Sequence, residues 1–309
     1  MKKWLSIFLI FSAVSTQVQA ELSPAAVGWG NLLVPGLGAT LRGLPGRGLL
    51  EASTEIGTYY GGTFGVREGS FTIDGSVIIP TQGNLYRPLT GQILQEFGLK
   101  LHMFDTFYHY QQVALGMQDS DREKNSPQPL YKGDWSDVLT APFKWKNLSN
   151  VWVYPILIAS TAFQIINYSN TQINPSSVQV QPAAEALYGF TSVAAIPLGS
   201  SFGEEVLFRG FIQREAHLYT NSLPFAIAAE TALFTLIHPS DLRQFAFVGG
   251  IYYGLMVHSL DGDLEPAIAS HFWIDLVNGL IVYWTLRRSQ GKDAPLMPPV
   301  GLQLTIPFM

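Results

Sequence analysis

From about Ala183 to Arg287-Arg288 the chain is almost continuously apolar, and a few polar residues punctuate it at separate points. The pattern predicts a helix ending near Ile196, a bend at Pro197-Leu198-Gly199, an acidic helix carrying Glu204, Glu205 and Arg209, and three further helices. Upstream, Val151 to Tyr168 reads as one membrane helix, and the uncharged stretch after it as a loop. Between Ile93 and Tyr108 the apolar positions Ile93, Phe97, Leu101, Phe104 and Tyr108 recur at helical spacing, with Gln95, Lys100, Asp105 and His109 between them. That is an amphipathic helix, lining a bundle or lying at an interface. From Glu21 to Val66 glycine is dense, predicting two short, closely packed helices around a Pro-Gly turn, with Glu51 and Glu55 one turn apart on the second. In the polar section between Arg67 and Thr90, FTI and SVII flank Asp74-Gly75, a signal for a small β-hairpin.

The first twenty residues are a separate object. Lys2 and Lys3 precede the apolar run Trp4 to Val14, and Val18-Gln19-Ala20 offers the small residues a signal peptidase needs. The run is short against the roughly 20 residues of a span, so a cleaved secretory signal peptide is expected. The chain divides accordingly into a signal peptide (1–20), a glycine-rich and amphipathic helical region with polar loops (21–150), a membrane helical region (151–286) and a tail (287–309). Phe143-Lys144-Trp145-Lys146, at the end of the main hydrophilic loop, has the rings and ammonium groups of a headgroup anchor. The expected fold is an all-α polytopic membrane helix bundle with a small β-hairpin in an extramembrane loop. Its orientation is left open, because the basic loop and the Arg287-Arg288-Lys292 tail agree only for an even number of crossings.

Composition supports this class. Of 309 residues 47% are hydrophobic and 13% charged, against about 25% charged in an average soluble protein. With a mean hydropathy of +0.18, this is a membrane protein with sizeable polar loops. A net charge of -5 gives no basic footprint for nucleic acid. The absence of cysteine excludes disulfides and thiolate chemistry. Gly36, Gly38 and Gly43 are not followed by the Gly-Lys-Ser/Thr of a phosphate cradle.

Charges within apolar helices are costly and therefore candidates for function. Glu205 and Arg209 stand at the i, i+4 spacing where side chains meet, and Glu204 is rotated by about 100° from Glu205. One carboxylate is thus held structurally while the other is free to react as a base. His238 ends its helix because Pro239 disfavours α geometry before it, so its imidazole can reach a cavity. His271, Asp275 and Asn278 share one helix face. Gly250 and Gly254 form a GxxxG step, and Glu230 is a further intramembrane acid. His102 and His109 read as polar-face residues rather than metal ligands.

Glu204-Glu205 with Arg209, Phe234 with His238, and His271 with Asp275 resemble the three ordered motifs of the CPBP family of intramembrane proteases, which includes the type II CAAX prenyl endopeptidases. The phrases LFRGFIQ and GGIYYGLMVHSLDGDLEPAIASHF are similar to family text. The resemblance covers about Ala183 to Trp284 and nothing from Glu21 to Asn150. It implies a membrane endopeptidase in which Glu204 and His238 activate water, His271 and Asp275 stabilise the oxyanion or position the carbonyl, and Glu205 and Arg209 fix the site. No cofactor is implied, although a metalloprotease would hold Zn²⁺ on Glu204, His238 and His271. Where the family pattern often has asparagine this chain has Asp275, which must be protonated, orient and charge His271, or serve a metal. The implied partners are membrane lipid and a peptide or membrane-protein substrate, in a bacterial inner membrane. Two other classes remain: a catalytically silent scaffold or immunity-type binding protein, and a proton-coupled transporter using Glu230 and the histidines.

Overall fold

The computed structural model describes residues 22–67, 70–74, 77–82, 86–117, 120, 126–169, 196–238 and 242–289. The expected signal peptide, the segment 170–195 with the helix predicted before Ile196, and the tail beyond residue 289 lie outside them. Within them the chain is a bundle of helices.

The glycine-rich start forms three helices rather than two. Helix α1 (Pro24–Leu33) is capped by Ser23, whose hydroxyl accepts from the Ala26 amide at 3.1 Å. Helices α2 (Leu37–Leu41) and α3 (Pro45–Arg67) follow. Gly36, with φ at 76°, lies against Gly48 so closely that a Cβ on it would stand 1.9 Å from the Gly48 carbonyl oxygen. Between α3 and the long helix α4 (Tyr86–Gly116), strands Ser70–Asp74 and Val77–Gln82 pair antiparallel.

Helix α4 faces the opposite way from a surface amphipathic helix. Its polar residues Lys100, Asp105 and His109 are buried, while Phe97 is 53% exposed. The inward charges are matched by α3 and its neighbours. His109 bonds Glu51 at 2.9 Å, His102 bonds Glu55 at 2.7 Å, and Asn31 donates to Thr106 at 3.1 Å. Paired in this way, polar groups are tolerated inside a bundle and rings are left outside. Met103, Phe107 and Tyr110 of α4 join Phe202, Phe211 and Tyr253 in one core, so α4 connects the two halves of the chain.

The hydrophilic loop is partly inserted into that core. Gln128 is buried, donates to the Arg209 carbonyl at 3.3 Å and accepts from Arg214 at 3.2 Å. After it come α5 (Trp135–Thr140), with a capping box at Asp134, α6 (Trp145–Leu148) and α7 (Tyr154–Ser169). Lys144 and Lys146 each reach Glu265 at 3.1 Å. They clamp the start of the last helix, a role not expected of a headgroup anchor. Burial alone would lower the Lys144 pKa, but its bonds to Asp137 and Glu265 raise it.

The C-terminal half comprises α8 (Ile196–Glu205), a π-helical segment (Val206–Gln213), α9 (Arg214–Thr220), α10 (Leu223–Ile237), α11 (Arg243–Ser259) and α12 (Glu265–Ser289). Pro197 to Gly199, expected as a bend, are the first turn of α8, where proline's missing N–H costs nothing. Among the described residues no helix is long and apolar enough to cross a membrane. This corrects the expected crossing at Val151 to Tyr168. Its α-helical part has 16 residues, about 24 Å at 1.5 Å per residue against a hydrocarbon core of about 30 Å. The longer α3, α4 and α12 carry charged residues, among them Glu51, Glu55, Lys100, Asp105, Glu265 and Asp275.

Candidate active site

Glu204 and Glu205 close α8 where the backbone widens into the π segment, a distortion that often accompanies functional sites. Glu205 accepts from Arg209 at 3.1 Å, as the spacing predicts. The same guanidinium lies 3.7 Å from Glu230, which identifies that acid's partner, and 4.3 Å over the Phe234 ring. All three charged groups are completely buried. Gly254 lets α11 close over them, since a Cβ there would stand 2.9 Å from Glu230 Oε1.

His238 follows the last residue of α10 in extended conformation, as Pro239 requires. Its Nδ1 bonds the Phe234 carbonyl at 2.6 Å. A carbonyl only accepts, so Nδ1 carries the proton and Nε2 faces Glu204 Oε2, 3.8 Å away. His271 Nδ1 donates to Glu205 Oε1 at 2.7 Å. Its Nε2 is 3.9 Å from Glu204 Oε2 and 3.6 Å from Asp275 Oδ2. Tyr253 stacks on the imidazole with centroids 5.6 Å apart. The ring is therefore oriented by Glu205, while Asp275 attends its other nitrogen. Asn278, on the same face, instead ties α12 to α7 by donating to Ser160 at 2.9 Å.

One residue at the centre was not anticipated. Lys100, from α4, bonds Glu204 Oε1 and lies 3.8 Å from Glu96. Its sequence signal was weak, a single lysine among the polar positions of an amphipathic helix. The only pointer was that Glu204 lacked a cation of its own once Arg209 was assigned to Glu205. Glu204 Oε2 is buried and has no hydrogen-bond partner among the described residues.

Glu204, His238, His271 and Asp275 line a cavity of about 400 Å³ walled by Ile156, Phe163 and Phe245. A second cavity, of about 460 Å³, is lined by Lys100, Glu96, Phe97 and Phe104. Ile196 and Ser200 border both. His102 and His109 belong to the distant network with Glu55 and Glu51. Among the described residues no group of three His, Asp or Glu side chains is placed to hold a metal ion.

A buried carboxylate facing two imidazoles across a cavity is equipment suited to hydrolysis. Residues 186–277 match the family model described as Rce1-like, type II CAAX prenyl endopeptidase Rce1-like. That stretch, less than a third of the chain, is similar to this family and contains Glu204, Glu205, Arg209, Glu230, His238, His271 and Asp275. No curated protein and no solved structure matches the chain.

Proposed function

We propose that the protein is an intramembrane endopeptidase that hydrolyses peptide bonds with water activated by Glu204 and His238. The observation that carries this reading is Glu204 Oε2, unbonded at the cavity wall and facing the Nε2 atoms of His238 and His271 at 3.8 and 3.9 Å. Such gaps are too long for direct hydrogen bonds and leave room for a bridging water. Glu204 would take a proton from that water as it attacks the scissile carbonyl, with His238 orienting it. His271 faces only carboxylates through both nitrogens and so acts as an imidazolium that supports the oxyanion. Asp275 charges that ring, while Glu205 and Arg209 hold it in place.

The proposal is metal-free. Zn²⁺ on Glu204, His238 and His271 would sit beside the Lys100 ammonium bound to the same carboxylate. Large outward apolar residues, among them Leu50, Phe64, Phe97, Ile158 and Phe247, suit a lipid surroundings better than water. They support placement in a membrane, which we take to be a bacterial inner membrane, with exported or membrane peptides as substrates. Glu230 does not line the cavity, which weighs against a proton relay through it. One observation favours a silent scaffold instead: Glu204 is tied to Lys100.

The test is cleavage of a peptide and membrane-protein library by purified protein in detergent, for wild type and Glu204→Gln, with and without a chelator. Cleavage that is lost in the variant and survives chelation supports the proposal. Loss under chelation turns it toward a metal, and a folded wild type that cleaves nothing turns it toward the scaffold.

A further inference from the structure

We infer that Lys100 is a positioning residue of this site, tying Glu204 Oε1 so that Oε2 is aimed at His238 and His271. The inference rests on the proteolytic reading above. It brings into the site a residue 104 positions before Glu204, outside the segment that matches the family model.

Three observations carry it. First, the two oxygens of Glu204 have different surroundings: Oε1 is held by the ammonium, and Oε2 has no bond but faces both imidazoles. A buried carboxylate with neither oxygen fixed can turn about its last torsion and lose its aim. Second, the approach is built into the backbone. A Cβ on Gly203 would stand 3.0 Å from the Lys100 carbonyl oxygen and 3.1 Å from its Cα, so glycine at 203 lets α4 reach the carboxylate on the next residue. Third, the two adjacent carboxylates are served by different cations. Arg209 serves Glu205, and Lys100, only 6% exposed, serves Glu204, so the adjacent carboxylates each have a cation. A lysine buried this deeply is tolerated only when paired.

Lysine differs from arginine here. A single ammonium binds one oxygen, whereas a planar guanidinium tends to engage both and would cover Oε2. Lys100→Arg should therefore keep the fold and lose turnover, an outcome that a purely structural role does not give.

The experiment measures kcat, KM and the thermal midpoint for the full chain in detergent, using a peptide that wild type cleaves. Variants are Glu204→Gln, Lys100→Met, Lys100→Arg and the double Lys100→Met/Glu204→Gln. We expect Lys100→Met to lower kcat about 10- to 100-fold with KM nearly unchanged. Lys100→Arg should keep a midpoint close to wild type with a similar loss of kcat. The double variant should be more stable than the sum of the single effects predicts. Wild-type kcat in either Lys100 variant, while Glu204→Gln is inactive, overturns the inference and leaves the proteolytic reading standing. Additive midpoints also overturn it, and they can be read without any substrate. If Glu204→Gln cleaves like wild type, or wild type cleaves nothing, the proteolytic reading fails and the inference falls with it.

Discussion

Glu205, rather than Asp275, holds the imidazole of His271: its carboxylate accepts from Nδ1 at 2.7 Å, while Asp275 stands 3.6 Å from Nε2. Adjacent residues on one helix therefore have different surroundings, with Glu205 fixing the ring and Glu204 turned to the cavity, where the proposed mechanism needs a base. Glu205→Gln should lower kcat about 100-fold, because the ring loses the charge that orients it. Asp275→Asn should cost less, about tenfold, since Nδ1 stays bonded. Steady-state kinetics of the two variants side by side checks the order, and a larger loss in Asp275→Asn would reverse the assignment.

Arg209 bridges Glu205 and Glu230, and all three are fully buried. Removing the cation leaves Glu230 uncompensated and Glu205 with His271 alone, so Arg209→Met should destabilise the fold by about 3–5 kcal/mol. Arg209→Lys should recover only part of this, because a point charge lacks the fork that reaches both acids. Denaturant unfolding in detergent measures both variants.

A Cβ on Gly203 would press on the Lys100 backbone at 3.0–3.1 Å, so α4 would have to give way. Gly203→Val should cost about 1–3 kcal/mol as α4 is pushed away. It should also lower peptide cleavage, because the shift draws Lys100 from Glu204. Gly203→Ala should show the same effects more weakly. The thermal midpoint and turnover, measured on the same samples, should fall together in the order Gly, Ala, Val.

His102 faces acceptors through both nitrogens, Glu55 at 2.7 Å and the Leu32 carbonyl at 3.1 Å, so the bonded ring is an imidazolium. A ring that is charged only because the fold presents it with two acceptors gives stability that is full at low pH and fades as rising pH removes the proton. Wild type should therefore lose more of its thermal midpoint between about pH 6 and pH 9 than His102→Gln does. Parallel profiles for the two proteins would show that the ring is not charged.

Much of the candidate site was legible in the chain. Glu204, Glu205, Arg209, His238, His271 and Asp275 stand out because charged or titratable groups are rare in apolar helices. The Glu205 to Arg209 pair and the sharing of a face by His271 and Asp275 follow from helix geometry alone. The existence of a long helix around Lys100 was equally plain from its periodicity. Its facing was not, because periodicity shows that a helix has two faces but not which is turned inward. The matching charges on α3 and α8 decided that, burying Lys100 and His109 and leaving Phe97 outside.

By itself, then, the sequence determined the helical character of the bundle and the local polar pairs, since both depend on residues within a turn or two of each other, though it did not determine every helix boundary. Tertiary structure alone decided that Lys100 meets Glu204, that Glu205 holds His271 and that Glu230 shares Arg209. Each of these partners is brought in by another helix, and a buried charge accepts whichever opposite charge the packing places within reach.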